Sequence, residues 1–175
     1  MEDYDFVIIG AGLFGIYASI DLEKRGYKVL LIEKEKTPYS KASLINQARV
    51  HMGYHYPRSL TTAKSSMNFS ERFIFEHKDF LNLSFTSLYG IERYGSLTTK
   101  SQFIRFTKFL NLYCEEIKIP NIFKSHRLEA LFKVQEFTFD TFLLREYYLS
   151  KLENSKISKY FGCILEKAYK EKNKW

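Results

Sequence analysis

Gly10-Ala11-Gly12-Leu13-Phe14-Gly15 has the residue types and spacing to hold a diphosphate. In this G-x-G-x-x-G pattern Gly10 permits a tight turn, and Gly12 leaves no Cβ where a backbone must approach a pyrophosphate. Gly15 lets a helix pack closely on a strand. Unpaired N–H groups and the positive dipole end of that helix would then face the phosphates. Glu33, roughly 20 residues further on, can accept hydrogen bonds from a ribose diol and would repel a 2′-phosphate. A ligand-free structural turn and a merely solvated acid are the competing readings. The full order of strand, glycine turn, helix, strand and acid argues against both.

A second stretch, Ser43 to Tyr56, is rich in polar and aromatic side chains. Ser43, Asn46 and Gln47 could serve a ligand or only their own loop. His51 could move a proton or be a structural histidine. His51 and His55 stand four apart, but no third ligand accompanies them, so no metal site is expected. Arg49, Arg58 and Arg105 could each take a substrate carboxylate in bidentate fashion, or be surface or structural charges.

These residues need elements to position them. Asp5 to Ile9 and Tyr27 to Ile32 read as apolar strands, and Leu13 to Arg25 as a helix with Ile16 and Ile20 on its apolar side. Gly26 suits the helix end. Lys34 to Lys41 reads as a loop. Helices are expected over 59–80 and 98–117, strand over 84–94, and one or two strands over 127–139. Asp140 would cap a helix over 141–152, and a last strand is expected over 157–165. Cys163 to Tyr169 reads as the opening of further strands, so the chain is expected to stop inside a sheet.

The composition, with 45% hydrophobic and 27% charged residues, is that of a folded globular protein. The net charge of +7 comes from scattered lysines and a basic stretch from Lys156 to Lys174, with no compact basic and aromatic motif. Nucleic acid is therefore not an expected partner. The acidic start is unlike a secretory leader, and no apolar run approaches the ~20 residues that span a bilayer. A cytoplasmic location follows as the expectation, with Cys114 and Cys163 as buried free thiols.

Taken together, the glycine fingerprint, Glu33 and the run Ser43, Asn46, His51, Gly53 and Tyr56 resemble the D-amino-acid oxidase superfamily of FAD-dependent oxidoreductases. The branch suggested is that of L-2-hydroxyglutarate dehydrogenase and glycine-oxidase-like enzymes. The likeness implies an α/β fold: a Rossmann-like FAD-binding lobe from residues 1–56 and 135–175, incomplete at its C-terminal end. An inserted α+β substrate-side lobe would occupy 57–134. It also implies that Gly10, Ala11, Gly12, Leu13, Phe14 and Gly15 surround the FAD pyrophosphate. Glu33 would hold the adenosine ribose with Lys34 beside it, and Ser43, Asn46 and Gln47 would lie along the cofactor. Arg49 to Gly53 would pass near the flavin ring, with His51 as the one catalytic candidate. The implied reaction removes a hydride from the C–N or C–O carbon of a small amine, amino acid or hydroxy acid. The alternative is a non-catalytic dinucleotide-binding fragment, or one subunit of a split enzyme completed by a C-terminal chain. An NAD-linked dehydrogenase is disfavoured, because no third βα unit follows soon after Glu33.

Overall fold

In the computed structural model, which describes residues 3–170, two compact units form: 3–47 with 141–170, and 48–140. The first is built on a parallel sheet. Strand β1 (Phe6–Ile9) leads through the glycine turn into helix α1 (Leu13–Lys24), and β2 (Val29–Glu33) returns beside β1. Strand β9 (Ser158–Phe161) pairs in parallel on the other side of β2, giving the order β1-β2-β9. This is the expected Rossmann-like α/β start. Helix α1 buries Leu13, Ile16, Ser19 and Ile20, and it ends at Gly26, whose φ of +90° suits glycine. Helix α5 (Thr141–Glu153) packs on α1, burying Leu144, Tyr148 and Leu152, with Tyr148 edge-on to Tyr17. A short helix, α2 (Ala42–Ile45), is tied to the start of α5 by Thr141 Oγ1 donating to the Ser43 carbonyl at 2.8 Å.

In the second unit, β3 (Arg49–Val50) and β4 (Leu81–Asn82) flank β8 (Phe137–Phe139) in an antiparallel sheet. A second antiparallel sheet places β7 (Leu128–Val134) between β5 (Ser87–Glu92) and β6 (Cys114–Ile117). Helices α3 (Leu60–His77) and α4 (Lys100–Phe109) complete it. Tyr54, Ala63, Ile91, Phe103, Phe106, Ala130 and Phe132 form its core, so much of the aromatic content is packing material.

Several expectations are corrected. The helix expected over 98–117 is only α4: Asn111 turns the chain at φ +54°, and Cys114 to Ile117 pairs with β7 instead. Its start is sharp because Thr99 and Gln102 form a reciprocal capping box. The stretch 127–139, expected as one or two strands, is two, β7 and β8, in different sheets with Glu136 in the break. The last strand ends at Phe161, before Gly162 at φ +70°, and 163–170 forms no regular element, so no further strands open there. The far end of the basic stretch, beyond 170, lies outside the described residues. Cys163 is exposed and Cys114 half-buried, so neither is the buried thiol expected.

Candidate functional site

The glycine turn of the first unit is held from three sides. Gly10 adopts φ +99°, a conformation that L side chains rarely reach, and its N–H donates to the Ile32 carbonyl at 2.7 Å. The Ala11 carbonyl accepts the N–H of Tyr39, a ring that is 1% exposed within the segment expected to be a polar loop. The third support is Glu33 itself. Its Oε2 accepts the Ala11 N–H at 2.6 Å and its Oε1 accepts the Glu35 N–H at 2.9 Å. An ionised carboxylate has about four acceptor positions, so two remain for a diol.

Helix α1 begins at Gly12 with no side-chain cap of its own. The first N–H of the helix, on Leu13, donates outward to Ser43 Oγ at 3.0 Å. That hydroxyl marks where an oxygen acceptor sits against the helix start, as a phosphate oxygen would. A Cβ on Gly12 would meet the same Oγ at 3.0 Å, whereas one on Gly15 would meet the Gly10 carbonyl oxygen at 1.8 Å. Gly15 is thus required by packing, and Gly12 keeps the cradle open. The donors, the open backbone and the acid fit a dinucleotide.

Of the residues read from the sequence, the fold bonds Ala11 to Glu33 and Leu13 to Ser43, with Gly10 and Gly12 in the same turn. Phe14 points its ring to solvent, at 86% exposure, so it is the backbone there that faces the turn. Asn46 donates to the Ser43 carbonyl at 3.3 Å. Lys34 and Gln47 are exposed.

The second unit holds a buried polar cluster that sequence reasoning did not single out. The Glu136 carboxylate, 1% exposed, is bonded to the Arg49 guanidinium and accepts the Met52 N–H at 3.1 Å. Tyr89 also joins it: its hydroxyl accepts from Arg49 at 3.1 Å and lies 3.5 Å from Glu136 Oε2. Burial works against the Arg49 charge, yet the bond and charge of Glu136 hold its pKa above the ordinary guanidinium value. Burial, with Glu136 nearby, pushes the Tyr89 phenol up to about 12. The buried Nδ1 of His51 has no hydrogen-bond partner and lies 3.7 Å from Glu136 Oε1. The His51 carbonyl is fixed by Ser66 Oγ at 2.6 Å. The one signal in the sequence was an acid inside an apolar, strand-like run. Among the described residues no group of three metal-ligating side chains forms.

Comparison with known proteins accords with the cradle. The family profile described as DAO, FAD dependent oxidoreductase, matches residues 5–134. The chain belongs to this family. FAD is accordingly its cofactor. A curated protein of similar sequence is the FAD-dependent monooxygenase FPY4 of Fusarium mangiferae. The two are 31% identical over 90 residues, which is 51% of this chain and 24% of that protein. Among solved structures, glycine oxidase from Geobacillus kaustophilus aligns at a TM-score of 0.65 and 14% identity, over 91% of this chain and 46% of its own. L-amino acid deaminase from Proteus vulgaris gives 0.66 and 15%, over 98% and 43%. L-proline dehydrogenase from P. horikoshii gives 0.65 and 16%, over 92% and 44%. At these identities the likeness establishes the DAO fold alone. The chain spans less than half the length of each of these proteins. No helix among the described residues is long and apolar enough to cross a membrane.

Proposed function

We propose that the chain is the FAD-binding portion of a DAO-family oxidoreductase acting on a small amine, amino acid or hydroxy acid. The observation that carries this reading is the Glu33 carboxylate bonded to the Ala11 N–H beside the open start of α1. In this reading Gly10 to Gly15 surround the pyrophosphate, Leu13 N–H and Ser43 Oγ bond its oxygens, and Glu33 receives the adenosine ribose. Lys34 flanks the ribose, and Asn46 and Gln47 lie further along the cofactor. Residues 1–56 and 135–175 serve the cofactor, and 57–134 the substrate side. FAD, when bound, supplies a two-electron acceptor for a hydride. Arg49 to Gly53 form the segment assigned to the flavin side, braced from below by Glu136. His51, whose Nδ1 lacks a hydrogen-bond partner but lies near Glu136, is the group available to hold or pass a proton.

The test is the visible spectrum of the purified chain after FAD is added, alone and with the remainder of a family-length protein supplied. Flavin retained by the wild type and lost by G12V and E33A supports the reading. Flavin retained equally by all three defeats it. Bleaching of the bound flavin by amino or hydroxy acids under anaerobic conditions would then define the substrate class.

One observation favours a second reading, that of a subunit awaiting a complementing C-terminal chain. Among the described residues strand β1 pairs on one side only, and Phe6, Val7 and Ile9 on it are 40%, 50% and 64% exposed. An apolar strand with a bare edge is a ready template for another strand. A stable complex on co-expression with such a segment supports this reading; full solubility and tight FAD binding by the chain alone oppose it.

A further inference from the structure

The second unit carries a cavity of about 300 Å3 lined by Pro57, Arg58, Leu97, Thr98, Gln102 and Arg105. None of these six residues is acidic. Arg58 and Arg105 come from distant parts of the sequence, and neither guanidinium is in an ion pair or hydrogen bond with the described residues. Of the unit's acids, Glu136 is paired with Arg49, Glu92 with Arg127 and Glu116 with Lys100, while Glu129 accepts the backbone N–H of Lys100 at 3.2 Å. Two like charges converging on one concavity repel each other unless an anion lies between them.

Both arginine side chains are exposed, and what the surroundings fix is the backbone that carries them. Arg58 sits in a turn closed by the Ser59 N–H donating to the Tyr56 carbonyl at 3.0 Å, and Pro57 fixes the backbone ahead of it. Ser59 then caps α3, so the turn cannot shift without uncapping a helix. Arg105 stands on α4 between Phe103 and Phe106, both buried in the core. Gln102, one turn earlier on α4, uses its Oε1 to accept the Thr99 N–H at 2.8 Å. That bond orients its amide so that the NH2 group is left to donate. Buried Thr98 adds a hydroxyl. Two forked guanidinia, an amide NH2 and a hydroxyl make a donor set matched to the oxygens of one small anion.

We infer that this cavity is a binding site for an oxyanion, the carboxylate or phosphate group of a small molecule. The inference does not depend on flavin binding, and its test leaves the cofactor out.

The full chain, labelled with 15N, is titrated with inorganic phosphate and separately with acetate, at ionic strength held constant with sodium chloride. Saturable shifts are expected at the amides of Arg58, Leu97, Thr98 and Gln102. R58Q and R105Q should each weaken binding about tenfold or more, the loss expected for one charge-assisted contact. Their spectra away from the cavity, unchanged, show that they remain folded. A preference for phosphate assigns a dianion, and a preference for acetate assigns a carboxylate. Shifts that fail to saturate, that spread over the surface, or that persist unweakened in both variants overturn the assignment.

Discussion

The Glu33 carboxylate accepts the backbone N–H of Ala11 at 2.6 Å, joining the end of β2 to the glycine turn that follows β1. The acid therefore has two jobs, bracing the turn and offering its remaining lone pairs outward. E33Q keeps the shape but loses the charge and an acceptor. It should weaken FAD binding about tenfold, as read by quenching of flavin fluorescence. E33A removes the brace as well and should lower stability by about 1–3 kcal/mol in urea denaturation, because the Ala11 N–H, on a buried residue, loses its partner.

The two neighbouring glycines should respond in opposite ways. A Cβ at Gly15 would stand 1.8 Å from the Gly10 carbonyl oxygen, which is backbone and cannot move aside. G15A should cost about 3 kcal/mol or more, measured by thermal unfolding. At Gly12 the neighbour is the tip of a serine side chain, at 3.0 Å, which can rotate. G12A should stay folded within about 1 kcal/mol of wild type and lose flavin affinity instead. Equal destabilisation by the two substitutions would contradict this division of roles.

Buried Glu136 and partly exposed Arg49 form an ion pair, and its removal from one side should be costly. E136A leaves the guanidinium and the Met52 N–H without their carboxylate and should destabilise the protein by about 1–3 kcal/mol. The double variant E136L/R49M removes both charges and should recover most of that loss. Chemical denaturation of wild type, E136L, R49M and E136L/R49M measures the coupling. A double variant as unstable as E136A would show that the Glu136 carboxylate acts through its acceptance of the Met52 N–H instead.

Tyr54 and Tyr89 set the alkaline limit of stability. Burial raises each phenol from 10.0 to about 12 in the folded protein, with the charge of Glu136 adding to it in both cases. Between these values the unfolded chain releases protons that the folded chain retains. The stabilisation is therefore complete below pH 10 and falls away as pH rises towards 12. Ultraviolet titration of phenolate absorbance should show both rings ionising late, together with unfolding. Y54F should shift the alkaline midpoint upward. It also gives up the hydrogen bond from the Tyr54 hydroxyl to the Tyr113 carbonyl, 2.7 Å long, and about 1 kcal/mol at neutral pH.

What the sequence determined by itself is the start of the first unit. The turn between β1 and α1 depends on φ values and Cβ clearances that belong to individual glycines, and β2 follows from a short apolar run. Such features are local, so residue type and spacing disclose them. Helix α5 was legible after Asp140 for the same reason. Tertiary structure alone decided the rest. Cys114 to Ile117 carries two acids in four residues and looks like a helix continuation until β7 offers it a ladder. Tyr39 lies in a polar stretch, yet its ring is taken into the first unit's interior. Glu136 meets Arg49 across 87 positions. Arg58 and Arg105 share a cavity only because a turn before α3 and a face of α4 come together. Burial and charge pairing at these places are properties of the folded contact, in which each partner supplies the environment of the other, and no single segment of the chain contains them.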